Sequence, residues 1–148
     1  MASRGKVFIG IDPGTRNIGV AVWPGWFTKR AKTQWLLAAG VTPAIEILSA
    51  HLKALTTNWD VQAVGVEDYG SFGARVGSFG ILKVIGAVLG ICVSHDIPVL
   101  TFMPAEKVRA SSKVTRPVGM SDHEFDALCI AHLTKEAYTM RKDGSSRA

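Results

Sequence analysis

The sequence predicts an α/β fold: a mixed five-stranded sheet with three antiparallel strands first, then two more joined through helices, flanked by helices. Three observations lead there. Two short β-branched runs are separated by Asp-Pro-Gly near the start. From Pro43 onward, helical periodicity alternates with short apolar runs. The resulting order, β-β-β-α-β-α-β-α, gives a meander followed by crossover connections.

The first strand is read over residues 6–12, KVFIGID, which alternate and end in Asp12. Asp-Pro-Gly turns the chain, and Asn17 to Trp23 returns as the second strand of a hairpin. WPGWFTKRAKTQ follows as a loop or distorted strand edge, with Trp23, Trp26 and Phe27 stabilising the hairpin end, and WLLAAGV (35–41) is the expected third strand. PAIEILSAHLKALTT is helical, with Ile45, Leu48, Leu52 and Leu55 on one face, Thr42 as N-cap and Pro43 as first helical residue. VQAVGVE (61–67) is a short apolar strand ending in Glu67, followed by the glycine-rich DYGSFGARVGSFG. A buried helix is expected from Ser78 to His95, and IPVLTFM (97–103) is the last strand. Residues 104–121 are polar and basic and carry no assignable pattern. The final helix runs from Ser121 to Met140, opened by a capping box of Ser121 and Glu124.

The 148 residues suit one core, so one domain is expected over 1–140, with RKDGSSRA (141–148) a disordered tail. Hydrophobic residues make up 47% and charged residues 20%, a composition that folds. Cys92 and Cys129 lie in separate apolar runs without CxxC or Cys/His spacing. That pattern opposes a zinc site or a disulfide framework and suits a reducing cytoplasm. No signal-peptide pattern is found, and the longest apolar run, SFGILKVIGAVLGICV, is interrupted by Lys83 and too short to span a membrane. The net charge of +5 favours a polyanionic partner such as nucleic acid.

The carboxylates carry the chemistry. Asp12 and Glu67 each end a strand, and if those strands are neighbours both emerge at one sheet end. In SDHEFDAL, His123 and Asp126 share a helix face, in first turns that favour acids. Asp and Glu are hard oxygen ligands for Mg²⁺ or Mn²⁺, and two such ions can activate a water and stabilise the leaving oxygen of a phosphodiester. His123 is a candidate ligand or proton carrier. Each residue also has a plainer reading. Asp12 suits a turn, Glu67 a surface ion pair, Asp122 the helix dipole, and His123 an ordinary half-exposed site. Only their convergence is informative.

GIDPGTRNIGVAV, VGVEDYGSFG and DHEFDALCIAHL, in that order, resemble the three motifs of RuvC-type Holliday junction resolvases. The resemblance spans most of residues 6–135 and implies a ribonuclease H-like fold. It implies a homodimeric endonuclease that cuts four-way DNA junctions at paired positions using Mg²⁺, with Mn²⁺ substituting and two ions per site. Asp12, Glu67, His123 and Asp126 match its catalytic and metal-binding positions. Departures are a short stretch at 104–121 and no certain match for the aromatic that wedges into the junction. Candidate DNA contacts are Tyr69, Phe72, Arg75, Lys107, Arg109, Lys113 and Arg116, with Lys29, Arg30 and Lys32 as further phosphate contacts. The glycines of GSFGILKVIGAVLGICV, Gly77, Gly80, Gly86 and Gly90, suit a dimer interface or close packing on the sheet. Three other functions stay open: an RNA-processing nuclease of the same fold, an actin-like ATPase, which the chain length opposes, and a non-catalytic branched-DNA-binding protein.

Overall fold

The computed structural model describes residues 4–24, 31–68 and 79–142. The strands are β1 (Lys6–Asp12), β2 (Asn17–Pro24), β3 (Lys32–Leu37), β4 (Asp60–Glu67) and β5 (Val99–Phe102). The helices are α1 (Val41–Asn58), α2 (Phe79–Ser94), α3 (Pro104–Ser111) and α4 (Asp122–Lys142). The strands form one five-stranded sheet in the order β3-β2-β1-β4-β5. β1 pairs antiparallel with β2 and β2 with β3, whereas β1–β4 and β4–β5 are parallel. The mixed sheet expected from the sequence is therefore present, with β1 at its centre.

Strand alternation sorts the side chains into two faces. Ile9 and Ile11 of β1, with Val64 and Val66 of β4, face one way and join a core with Leu48 and Leu52 of α1 and Val84, Val88 and Cys92 of α2. The intervening residues face α4. There Phe8 meets Tyr138 edge to face at 5.5 Å, and a second core gathers Ala127, Leu128 and Ala131 with Ala110 of α3. Because Asp12 follows Gly10 by two and Glu67 follows Gly65 by two, both carboxylates belong to the α4 face.

α4 lies directly on the sheet backbone. A Cβ on Gly10 would run into the Ala127 carbonyl and the Ala131 amide, and one on Gly19 into the His123 carbonyl. Glycine at these positions removes the side-chain layer that otherwise separates helix from strand.

Three elements differ from the sequence expectation. β3 lies at 32–37 rather than 35–41, in register with β2 from Val22↔Lys32 to Asn17↔Leu37. After Leu37 the chain leaves the ladder, and Ala38 and Gly40 donate to the Arg16 and Thr15 carbonyls instead. α1 begins at Val41, not at Pro43, with Gly40 rather than Thr42 as N-cap. Gly40 has φ +115°, a turn that glycine takes without strain, and its carbonyl accepts from Ala44 at 3.1 Å. Pro43 then falls within the first turn, where a missing N–H costs nothing. Finally, residues 104–111 form α3, which the sequence reading left unassigned.

Other expectations hold. α2 runs over 79–94, and α4 starts with the Ser121–Glu124 box, in which the Ser121 hydroxyl donates to Glu124 Oε1 at 2.9 Å. No helix among the described residues is long and apolar enough to cross a membrane. Cys92 and Cys129 are free and buried.

Candidate active site

The two strand ends coincide because β1 and β4 are parallel neighbours. Their register ends at Ile11↔Val66, so Asp12 and Glu67 come next, side by side at the same sheet end. Both are buried, Asp12 at 4% and Glu67 at 1% exposure. Residues Ser121 and Glu124 start α4 above this end, and Thr33 of β3 donates to Glu124 Oε2 at 2.7 Å, fixing the helix start against the sheet. That hydrogen bond is the main reason the Glu124 carboxyl sits below its ordinary range. α4 then presents His123 and Asp126 one turn apart.

The four residues meet. His123 Nδ1 lies 3.2 Å from Asp12 Oδ2. Lys107 of α3 donates to Glu67 Oε2 at 3.0 Å and to Asp126 Oδ2 at 3.3 Å, so one ammonium joins the strand acid to the helix acid. Burial pushes the Asp12 carboxyl up to about 6, against the hydrogen bond from His123; the charges of Asp126 and Glu67 add to the rise, and Lys107 opposes it. Burial acts to lower Lys107, but its hydrogen bond to Glu67 and the charges of Glu67, Asp126 and Asp12 outweigh it and hold the ammonium above its ordinary value. Near neutral pH Asp12 is thus ionised and can only accept, so His123 carries its proton on Nδ1 and, when neutral, keeps a lone pair on Nε2.

The remaining sequence candidates separate into groups. Lys107, a candidate phosphate contact in the sequence, reaches into the acid cluster. Arg109 and Lys113 line an open groove of about 400 Å³ between α3 and α4, with Glu106, Leu133 and Glu136. Arg116 is used locally: it bonds the Met120 carbonyl at 2.7 Å, pairs with Asp122 at 2.8 Å and covers the Phe125 ring at 5.4 Å. Asp122 thus pairs with Arg116 at the exposed start of α4. Lys32 lies over the Trp59 ring at 5.8 Å. Tyr69, Phe72, Arg75, Trp26, Phe27, Lys29 and Arg30 lie outside the described residues.

The placement of two residues is not legible in the sequence. Lys107 was visible only as part of a basic run, although Pro104 followed by Glu106 is a helix-start pattern, and Met103 N–H does donate to Glu106 Oε1 at 3.3 Å. Trp35 gave no signal at all. It stacks on His123 with ring centroids 6.3 Å apart and planes 27° apart.

No group of three His, Cys, Asp or Glu among the described residues is arranged to hold a metal ion as it stands. The Lys107 ammonium sits between Glu67 and Asp126 as a resident cation. Asp12, Glu67 and Asp126 are hard oxygen donors close enough for the charges of Asp126 and Glu67 to add to the rise of the Asp12 carboxyl, which burial chiefly causes. That set fits Mg²⁺ or Mn²⁺ in ligand chemistry, provided the ammonium yields.

No family model and no curated protein matches the chain by sequence. Solved structures do match. Thermus thermophilus RuvC in complex with a Holliday junction substrate superposes with TM-score 0.72 at 19% identity, over 93% of this chain and 96% of that one. The fold is that of the RuvC-type resolvases. The yeast mitochondrial Holliday junction resolvase gives TM-score 0.61 at 12% identity, over 97% of this chain and 83% of that one. The fowlpox virus resolvase gives 0.52 at 16%, over 91% and 99%. The ribonuclease H-like architecture expected from the three motifs is therefore present.

Proposed function

We propose that the chain is a metal-dependent, structure-specific endonuclease that resolves Holliday junctions and related branched DNA by paired phosphodiester hydrolysis. The observation that carries this reading is the meeting of Asp12, Glu67, His123 and Asp126, from three distant segments, at one sheet end in a fold shared with junction resolvases. Asp12, Glu67 and Asp126 would hold Mg²⁺, or Mn²⁺ in its place, two ions per site, with His123 contributing the nitrogen not engaged by Asp12. When bound, such ions supply Lewis-acid stabilisation of charge on the phosphate and lower the pKa of water.

This chain's residues do the rest. Burial keeps the Asp12 and Glu67 carboxylates out of bulk water, which strengthens their hold on a divalent cation. Asp12 fixes the tautomer of His123 and leaves the ring's one lone pair on Nε2, for a metal ion or, where no ion takes it, for a proton. Lys107 neutralises the acids in the metal-free protein and, once displaced, leaves a cation close to the incoming phosphate. Arg109 and Lys113, in the α3–α4 groove, are available for backbone phosphates beyond the cut. Tyr69, Phe72 and Arg75 complete the proposed DNA contacts. A homodimer would form through the outward stripe of α2, where Phe79 and Val93 are exposed and a Cβ on Gly86 or Gly90 would meet nothing within 4 Å. The cytoplasm is the fitting compartment for two free cysteines whose thiols burial pushes up to about 11.

The test is a synthetic four-way junction incubated with purified protein and Mg²⁺. Nicks at symmetric positions are expected, with Asp12→Asn binding the junction but not cutting it. Equal cutting of linear duplex would remove the claim of structure specificity. Cleavage of single-stranded RNA in place of the junction would favour an RNA-processing nuclease.

A further inference from the structure

The strand registers assemble a slot for His123. Asp12 pairs with Gly19 across β1–β2, and Gly19 pairs with Trp35 across β2–β3. The three residues form one row across the sheet, so their side-chain directions share the face on which α4 lies. Gly19 has no side chain, and the His123 carbonyl occupies the position its Cβ would take. The α4 backbone at His123 is therefore seated over the middle of the row. On one side the Asp12 carboxylate accepts from Nδ1 at 3.2 Å. On the other the Trp35 indole stacks on the ring.

The indole is itself held. Its Nε1 donates to Asn17 Oδ1 at 3.1 Å, from the residue two before Gly19 and so on the same face. Thr33, two before Trp35, holds the first turn of α4 through Glu124. Yet Trp35 is 50% exposed on an edge strand, so burial in the core does not explain a tryptophan there. What it contacts does.

Resting on the nuclease reading above, we propose that Trp35 is the positioning residue for His123. It closes the side of the slot opposite Asp12 and, steadied by Asn17, keeps the imidazole with Nδ1 on Asp12 and Nε2 free for the reaction. Ring pairs at this separation and tilt prefer a defined geometry. A hydrogen bond at one edge alone leaves the imidazole free to swing about it, and a stacked face removes that freedom.

The test has two arms, one independent of cutting. In the metal-free protein, ¹⁵N spectra of the histidine rings, assigned with a His123→Gln variant, report the tautomer. The wild type should show Nδ1 protonated. Trp35→Ala should move His123 toward averaged nitrogen signals, and Trp35→Phe, which keeps a stacking ring, should restore the wild-type pattern. Asn17→Ala, which frees the indole without removing it, should fall between. In the second arm, single-turnover cutting by junction-bound protein should fall about 10-fold in Trp35→Ala, the lower range for loss of a group that orients a ligand, with junction affinity within about 2-fold and substantial rescue in Trp35→Phe.

Unchanged ring signals in folded Trp35→Ala would overturn the proposal. So would a loss confined to junction affinity, which would make Trp35 a base-stacking surface. If the wild type cuts no junction, the nuclease reading fails while the ring spectra still decide whether Trp35 positions His123.

Discussion

Asp12→Asn should make the metal-free protein more stable while abolishing its response to metal. Asp12 is buried at the sheet end, and its carboxyl is pushed from 3.8 up to about 6. A raised carboxyl means that the folded state binds the proton more tightly than the unfolded chain between those two values. Stability therefore falls as pH rises through the window from about 4 to 6, and above it the ionised Asp12 carries the full cost. The difference converts to about 3 kcal/mol. Asparagine is nearly isosteric, cannot ionise, and can still accept from His123. At pH 7.5 in EDTA the variant should melt about 6–12 °C higher than wild type, at about 2–4 °C per kcal/mol for a chain of this size. At pH 3.5, where Asp12 is protonated in the folded state and about two-thirds protonated in the unfolded chain, the two should melt nearly together. Adding Mg²⁺ should raise the wild-type melting temperature and leave the variant unmoved. Calorimetry across this pH range checks it. A variant less stable than wild type at pH 7.5, or equally stabilised by Mg²⁺, would refute the claim that the acid cluster is strained without a divalent cation.

Lys107→Met should destabilise the metal-free protein by about 2 kcal/mol, since Glu67 loses a charge-assisted bond, and should shift the Mg²⁺ midpoint in thermal titrations to lower concentration because no ammonium has to leave. Gly19→Ala should cost about 1–3 kcal/mol through overpacking and lower cutting by more than the stability loss accounts for, because it lifts His123 away from Asp12; denaturant unfolding and junction cleavage together check this. Arg109→Ala combined with Lys113→Ala should weaken junction binding and flatten its salt dependence by about 2 in log–log slope. Arg116→Ala should instead lower stability and leave that slope unchanged, as fluorescence anisotropy at several salt concentrations will tell.

What the sequence revealed was whatever depends on local pattern. Asp12 and Glu67 end apolar strands, and His123 and Asp126 are spaced for one helix face, so the acid set was readable before its geometry. Ser121 and Glu124 marked the start of α4 because a capping box is a local device. Features requiring register were hidden. β3 moved three residues because its limits follow from pairing with β2, not from its own composition. α3 is only eight residues long and buries Ala110 alone, so it has little periodicity to detect. Lys107 looked like its basic neighbours because nothing near residue 107 says that β5 brings α3 alongside the end of β4. Trp35 was silent for the same reason: its relation to His123 runs through two strand pairings.

The glycine floor beneath α4 also bears on how such a protein can diverge. At Gly10 and Gly19 the spacing between α4 and the sheet is set by main-chain atoms meeting main-chain atoms. Substitutions among Ile9, Ile11, Val64 and Val66, on the reverse side, can alter the packing of α1 and α2 without changing that distance. Sequence drift on one side of the sheet is thereby uncoupled from the alignment of the acid cluster on the other, which allows a shared architecture to persist where few identities remain.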